Sequence, residues 1–238
     1  MNETKINVIV PCYNAAKNLD LLAASLLEQN YNNWQAFFID DISTDNTWNI
    51  ISSLCKKHNN FIGIKNEEKK WALKNIVDTC YSIKHEQDKI ITIVDGDDFL
   101  INQNTFNLLN EAFQSGAQFI WTKHRWDVDK RNISQEFPTG KNPFHVKWYT
   151  SHLRSFSLNL LKSVNVDNFK DVHSQYFKRG YDQALSLPLL YLAKDKIKFI
   201  PEVCYQYNLS SCSMPNRNDG GAQLNTVKFI RARGFINE

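Results

Sequence analysis

Glycine is scarce, with eight residues in 238, and nowhere do they gather into G-x-G-x-x-G or another glycine-rich phosphate loop. That excludes a dinucleotide oxidoreductase and speaks against a sugar nucleotidyltransferase, both of which cradle phosphate on such a loop. The five cysteines, Cys12, Cys55, Cys80, Cys204 and Cys212, form no C-x-x-C and no histidine-paired pattern, so neither a zinc site nor a disulfide frame is expected. The longest apolar runs, Leu21 to Leu27 and Leu185 to Ala193, fall well short of the ~20 residues a membrane span needs. Like charge never collects in a block. The 28 basic and 25 acidic side chains leave +3, which offers nothing to nucleic acid or an anionic membrane. Met1 to Lys5 lead straight into a strand-like segment with no charged-then-apolar leader, so the expectation is a soluble, cytoplasmic chain.

What is present is apolar and aromatic residues in regular alternation of strand and helix patterns. Ile6 to Val10 is a short β-branched run, followed by a loop and a periodic apolar segment from Leu19 to Leu27. The unit repeats: strand Trp34 to Ile39, helix Asp45 to His58, strand Phe61 to Lys65, helix Trp71 to Lys84, strand Lys89 to Val94. This predicts an α/β fold with a mostly parallel sheet and helices on both faces. In such sheets ligands bind outside the carboxyl ends of the strands, so the loops beginning at Pro11, Asp40 and Asp95 should converge. Beyond these lie a predicted helix over Asn104 to Gly116, a strand over Gln118 to Lys123 and a long polar connection over Arg125 to Lys147. Helices are predicted over Tyr149 to Ser163 and Tyr181 to Ala193, short strands over Ile197 to Ile200 and Val203 to Tyr207, and a polar tail over Ser210 to Gly221.

Two acidic clusters carry chemistry. Asp95-Gly96-Asp97-Asp98 follows the apolar strand directly. Carboxylates held close repel one another, and a hard divalent cation relieves that repulsion while leaving coordination positions for phosphate. An EF-hand is excluded, because its sixth and twelfth positions counted from Asp95 are Leu100 and Phe106 rather than Gly and Glu. The second cluster, Asp40-Asp41-Ile42-Ser43-Thr44-Asp45, ends another strand; Ser43 or Asp45 suits a helix cap, whereas Asp40 and Asp41 should point into the crevice.

The runs Val8-Ile9-Val10-Pro11-Cys12-Tyr13-Asn14, Phe38-Ile39-Asp40-Asp41-Ile42-Ser43-Thr44-Asp45 and Val94-Asp95-Gly96-Asp97-Asp98 resemble, in order and spacing, family 2 of the inverting glycosyltransferases, which have the GT-A fold. The resemblance implies that Pro11, Tyr13, Asn14 and Asp41 bind the nucleotide, with Tyr13 stacking on uracil and Asp41 accepting from its ring N–H. It implies Asp95 and Gly96 beside the nucleotide, and Mn²⁺ or Mg²⁺ held by Asp97 and Asp95, with Asp98 as an extra ligand. Lys74 and Asn75 stand where relatives carry an A-x-N or A-R-N segment in a helix near the base, although a solvated helix face also suits Lys74. An inverting transfer also needs a general base, and the acidic pair that relatives carry at a helix start corresponds to Tyr181-Asp182, which makes Asp182 the base although Tyr181 departs from the pattern. Asp167, Asp171 and His173 compete for that role. Arg154 and His152 are weaker candidates for contact with acceptor or diphosphate.

The implied protein is one GT-A domain over residues 1–238, with a nucleotide-sugar half at 1–125, an acceptor half at 126–210 and a tail at 211–238. It would move a hexose or N-acetylhexosamine from a UDP-sugar to a glycan or lipid-linked saccharide acceptor, the latter being compatible with peripheral membrane association. Processive synthases carry Gln-x-x-Arg-Trp, which this chain lacks, so single-sugar transfer is favoured. A catalytically inactive sugar-nucleotide-binding or scaffold domain of the same fold is the alternative, against which the intact Asp95, Asp97 and Asp182 weigh.

Overall fold

The computed structural model describes residues 3–84, 88–211 and 220–237. Strand β1 (Ile6–Cys12) lies between two parallel neighbours, β2 (Trp34–Asp40) and β4 (Ile90–Ile93), and β3 (Phe61–Lys65) extends the sheet beyond β2. Helices α1 (Leu19–Leu27), α2 (Thr47–Lys57) and α3 (Trp71–Ser82) make the crossovers. In β1, Ile6, Val8 and Val10 face one apolar core with α1, α2 and α4 (Thr105–Gln114), while Ile9 faces the other with α3. A strand buried on both faces carries apolar residues at successive positions, as at Val8, Ile9 and Val10, while the buried Asn7 accepts through its Oδ1 from Gln35 Nε2 at 2.8 Å. Because β1 pairs with β2 on one side and β4 on the other, a crevice opens at their shared carboxyl end.

The far half of the sheet is mixed, in the order β3-β2-β1-β4-β7-β6-β8-β5. Strand β7 (Arg154–Ser157) runs antiparallel to both β4 and β6 (Phe119–Trp126), β8 (Ile197–Tyr207) is parallel to β6, and the two-residue β5 (Phe99–Leu100) closes the edge. Here the structure corrects the predicted helix over Tyr149 to Ser163. Residues 154–157 are a strand, and only Leu158–Lys162 (α5) is helical. Ser157 marks the break, its hydroxyl accepting from the Leu160 N–H at 3.1 Å as an N-cap.

The two short strands expected near residue 200 are one, β8. Its pairing with β6 slips between Thr122 and Lys123, looping out Pro201 and Glu202, so the proline that cannot donate sits in the bulge. Helix α6 (Tyr181–Ala193) forms as predicted. The segment expected as a tail contains helix α7 (Gly220–Arg233), which packs on α6 through Ile230, while residues 212–219, with Cys212, lie outside the described residues. Periodicity could not reveal α7, since Arg231 and Arg233 are spent on docking: they donate to the carbonyls of Phe144 and Val146 and of Asn168 and Lys170. Among the described residues no helix is long and apolar enough to cross a membrane.

Candidate functional site

The loops after β1, β2 and β4 meet as expected. Asp41 N–H donates to Cys12 O at 2.9 Å, Gly96 N–H to Pro11 O at 3.2 Å, and Asn14 N–H to Ser43 Oγ at 2.9 Å. Asn14, with φ of 51°, accepts from Thr44 N–H at 2.8 Å and so stitches the first two loops together. Asp45, not Ser43, holds the start of α2, accepting from Thr47 N–H at 3.0 Å and Ala16 N–H at 3.2 Å. Gly96 is required by this closeness: a Cβ there would lie 3.0 Å from Cys12 Sγ and 3.1 Å from Pro11 O. The buried Cys12 thiol registers the convergence electrically. Its pKa is pushed up by burial and then by Asp40, Asp97, Asp95 and Asp45 around it.

Asp41 is buried and serves the loop before α3. Its carboxylate accepts from the N–H groups of Lys70 and Trp71 at 2.8 and 2.9 Å and from Asn66 Nδ2 at 2.8 Å. Asn66 also donates to Asn75 Oδ1 at 2.8 Å, and Asn75 Nδ2 and Asp40 Oδ2 are buried with no partner among the described residues. The same loop brings Lys69 Nζ over the Tyr13 ring, 2.8 Å from its centroid. Lys74 does not join this group; it pairs with Asp78 one turn along the helix at 2.9 Å. Helix geometry separates it from Asn75 by ~100° of rotation, and Asn75 is the residue that faces the crevice network.

In the loop after β4 the three aspartates have different surroundings. Asp98 is fully buried and accepts from Tyr205 Oη at 2.7 Å and from Asn208 N–H at 2.7 Å, so it ties the loop to the end of β8. Burial, then Asp97 and Asp95, raise its pKa. Asn208 Nδ2 and Asn18 Nδ2 both donate to the Asp97 carbonyl, at 2.7 and 2.8 Å, which fixes the half-buried Asp97 between α1 and β8. Tyr205 and Asn208 belong to a Tyr-x-Tyr-Asn segment, and bracing this loop is what that segment does.

Asp95 is held by Arg154 and Tyr181. Arg154, expected on a helix, lies on β7 with 1% of its side chain exposed and an Nη2–Asp95 Oδ2 distance of 3.6 Å. It donates to Tyr181 Oη at 3.0 Å and to Ser151 O at 3.1 Å, and the Tyr181 hydroxyl donates to Asp95 Oδ1. Burial opposes the guanidinium charge, but Tyr181, Asp95, Asp182 and Tyr205 outweigh it and move the pKa up. Asp182 follows in the first turn of α6, half-buried, its pKa raised chiefly by burial and restrained by Arg154. Its rivals serve local turns: Asp171 accepts from the N–H groups of His173 and Gln175, and Asp167 pairs with Lys170 at 3.2 Å.

His152 is buried between the Tyr205 and Tyr207 rings, 4.7 Å from each centroid. Its Nδ1 has no partner among the described residues, and ligand atoms of His152, Asp95 and Asp98 lie within 4.8 Å of one another. Burial, Arg154 and His124 hold it neutral, the form that can ligate a metal, while the carboxylates beside it, with Asp97 in the same loop, are the oxygen donors that suit Mn²⁺ or Mg²⁺. His124, bonded to Ser134 Oγ and Trp126 Nε1, is lowered to about 4 by burial and Arg154. An unfolded histidine titrates near ~6.5, so below that pH the unfolded chain takes up a proton that folded His124 refuses. Stability is therefore expected to fall by about 2 kcal/mol between pH 7 and 5 from this residue; a melting temperature unchanged over that range would contradict the burial assigned to it.

The chain matches the description "Glycosyl transferase family 2" over residues 7–179 and belongs to that family, with the GT-A fold. It is 26% identical over 224 residues to glycosyltransferase GlyG of Streptococcus pneumoniae serotype 4, covering 88% of this chain and 72% of that one. It is 30% identical over 125 residues to the Escherichia coli UDP-Glc:alpha-D-GlcNAc-diphosphoundecaprenol beta-1,3-glucosyltransferase WfaP, covering 52% of this chain and 47% of the enzyme. Among solved structures, S. aureus TarS 1-349 in complex with UDP-GlcNAc superposes with a TM-score of 0.70 at 18% identity, over 98% of this chain and 68% of that one. Against the longer TarS structure the chain spans 41% of the length.

In the sequence Tyr181 stands out only as a departure from the family pattern, and Asn66, Lys69 and His124 do not stand out. No local pattern marks them, since each earns its place by a contact across the fold.

Proposed function

We propose that the protein transfers a hexose or N-acetylhexosamine from a UDP-sugar to a hydroxyl of a glycan or lipid-linked saccharide, one residue at a time and with inversion to a β linkage. The observation that carries this reading is the meeting of Tyr13, Asp41 and the Asp95–Asp98 loop at one sheet end, with the Asp182 helix linked to Asp95 across it. Tyr13 would stack on the base once Lys69 yields its face, Asp41 would accept from the ring N–H, and Asn75 Nδ2 supplies an uncommitted donor for a ring carbonyl. The names of WfaP and of the TarS complex favour uridine nucleotides.

On the acceptor side Asp182 would take the hydroxyl proton as that oxygen bonds to the anomeric carbon. The bond from that carbon to the β-phosphate oxygen breaks on the opposite face, and UDP departs with its electron pair. Asp95 and Asp97, with His152 beside them, would hold Mn²⁺ or Mg²⁺, which when bound neutralises charge on the diphosphate. In this reading residues 1–125 bind the nucleotide sugar and 126–210 face the acceptor.

The test is calorimetric titration of UDP and GDP with and without Mn²⁺. UDP is expected to bind tenfold or more tightly than GDP, and more tightly with the ion. Equal affinity, or no binding of either, removes the UDP-sugar donor.

A further inference from the structure

Tyr181 bonds the start of α6 directly to a carboxylate of the Asp95–Asp98 loop. Its hydroxyl bridges two groups at once, donating to Asp95 Oδ1 and accepting from Arg154 Nη2 at 3.0 Å. Arg154 completes a closed triangle through its 3.6 Å approach to Asp95 Oδ2, and it is rigid, being buried in β7 beside β4. The opposite side of the helix start is also held. Gly180 sits at φ of 60° against Val227 of α7, and Arg231 Nε of α7 donates to Gln183 Oε1 at 2.7 Å. Residues 180, 181 and 183 are thus each fixed by a different partner. Asp182 stands among them, and adjacent residues of a helix are related by ~100° of rotation. A bond that fixes where the Tyr181 side chain points therefore fixes where Asp182 points.

We infer that Tyr181 is a positioning residue for Asp182, holding the base-bearing helix against the donor-side carboxylate Asp95 through its hydroxyl. The inference rests on the transferase reading for its consequence, but not for its structural content. It also gives the tyrosine a reason to stand where relatives carry an acidic side chain: a second carboxylate beside Asp95 would repel it, whereas a phenol donates to it.

The experiment compares the wild-type protein with Tyr181→Phe, which keeps the ring and removes the hydroxyl, and with Arg154→Lys, which keeps the charge and loses the fork. Two measurements are made on each. Hydrogen exchange of the peptide covering the start of α6 is expected to quicken at least tenfold in Tyr181→Phe and less in Arg154→Lys. In transfer assays kcat is expected to fall at least tenfold in Tyr181→Phe while the UDP dissociation constant changes by less than twofold, a split that general loosening of the fold would not produce. Unchanged exchange in both variants overturns the positioning role. Quickened exchange with full kcat, or a loss confined to UDP affinity, overturns its link to Asp182. If the wild-type protein transfers no sugar to any acceptor, the transferase reading fails separately, and the exchange result still decides whether Tyr181 holds the helix.

Discussion

Asp182→Asn is expected to lower kcat for sugar transfer by about 10²–10⁴-fold, the range that removal of a general base produces, while leaving UDP affinity within about twofold of the wild type. The expectation follows from what the residue touches. Asp182 lies in the first turn of α6, next to the Tyr181 that bonds Asp95, and among the described residues none of the bonds that build the nucleotide-side loops uses it. Amide for carboxylate preserves size and helix geometry but cannot take a proton from an acceptor hydroxyl. Burial raises the carboxyl's pKa and Arg154 restrains the rise, so the ionised, active form is lost on acidification, and activity should fall on the acid side of its profile. Steady-state kinetics with a UDP-sugar, beside calorimetry of UDP, separates the two quantities. Retention of full kcat would move the base to another residue.

Asp97→Ala should act on the other quantity. In the presence of Mn²⁺ it is expected to weaken UDP binding by about a hundredfold, equivalent to about 2.8 kcal/mol, and to abolish the difference between metal-containing and metal-free titrations. Asp95 and Asp98 each have a further structural task. Asp98 bonds Tyr205 and Asn208, and Asp95 bonds Tyr181 and faces Arg154, so their loss would also disturb β8 or α6. The Asp97 backbone carbonyl takes the bonds from Asn18 and Asn208, and the substitution keeps that carbonyl. A variant that still binds UDP better with Mn²⁺ would show that the ion sits on Asp95, Asp98 and His152 without it.

The two halves of the chain differ in how much of them can be read locally. In the first, strand and helix patterns alternate because each βαβ unit buries its strand on both faces and its helix on one, and the register of apolar residues records both. The loops that end β1, β2 and β4 were legible for the same reason: parallel strands with right-handed crossovers bring their carboxyl ends to one side. In the second half β7 reads as part of a helix because all four of its residues are buried, polar Ser155 and Ser157 included, which erases the alternation that a half-exposed strand would show. Helix α7 carries its information in Arg231 and Arg233, whose partners are carbonyls of other segments.

The sequence by itself determined the parallel core, the carboxylate-bearing loops at its end and the helix that begins at Tyr181, since these follow from periodicity and from residue types at strand ends. Only the tertiary structure decided how the carboxylates divide their work. Asp41 accepts from the N–H groups of Lys70 and Trp71, Asp98 from Tyr205 and Asn208, and Asp95 from Tyr181 beside Arg154. The partners of Asp41 stand about 30 residues away in the chain, and those of Asp98 and of Asp95 through Tyr181 stand 86 to 110 away. A carboxylate's role is set by the donors that reach it and by the water it has lost, and both are properties of packing that no stretch of neighbouring residues contains.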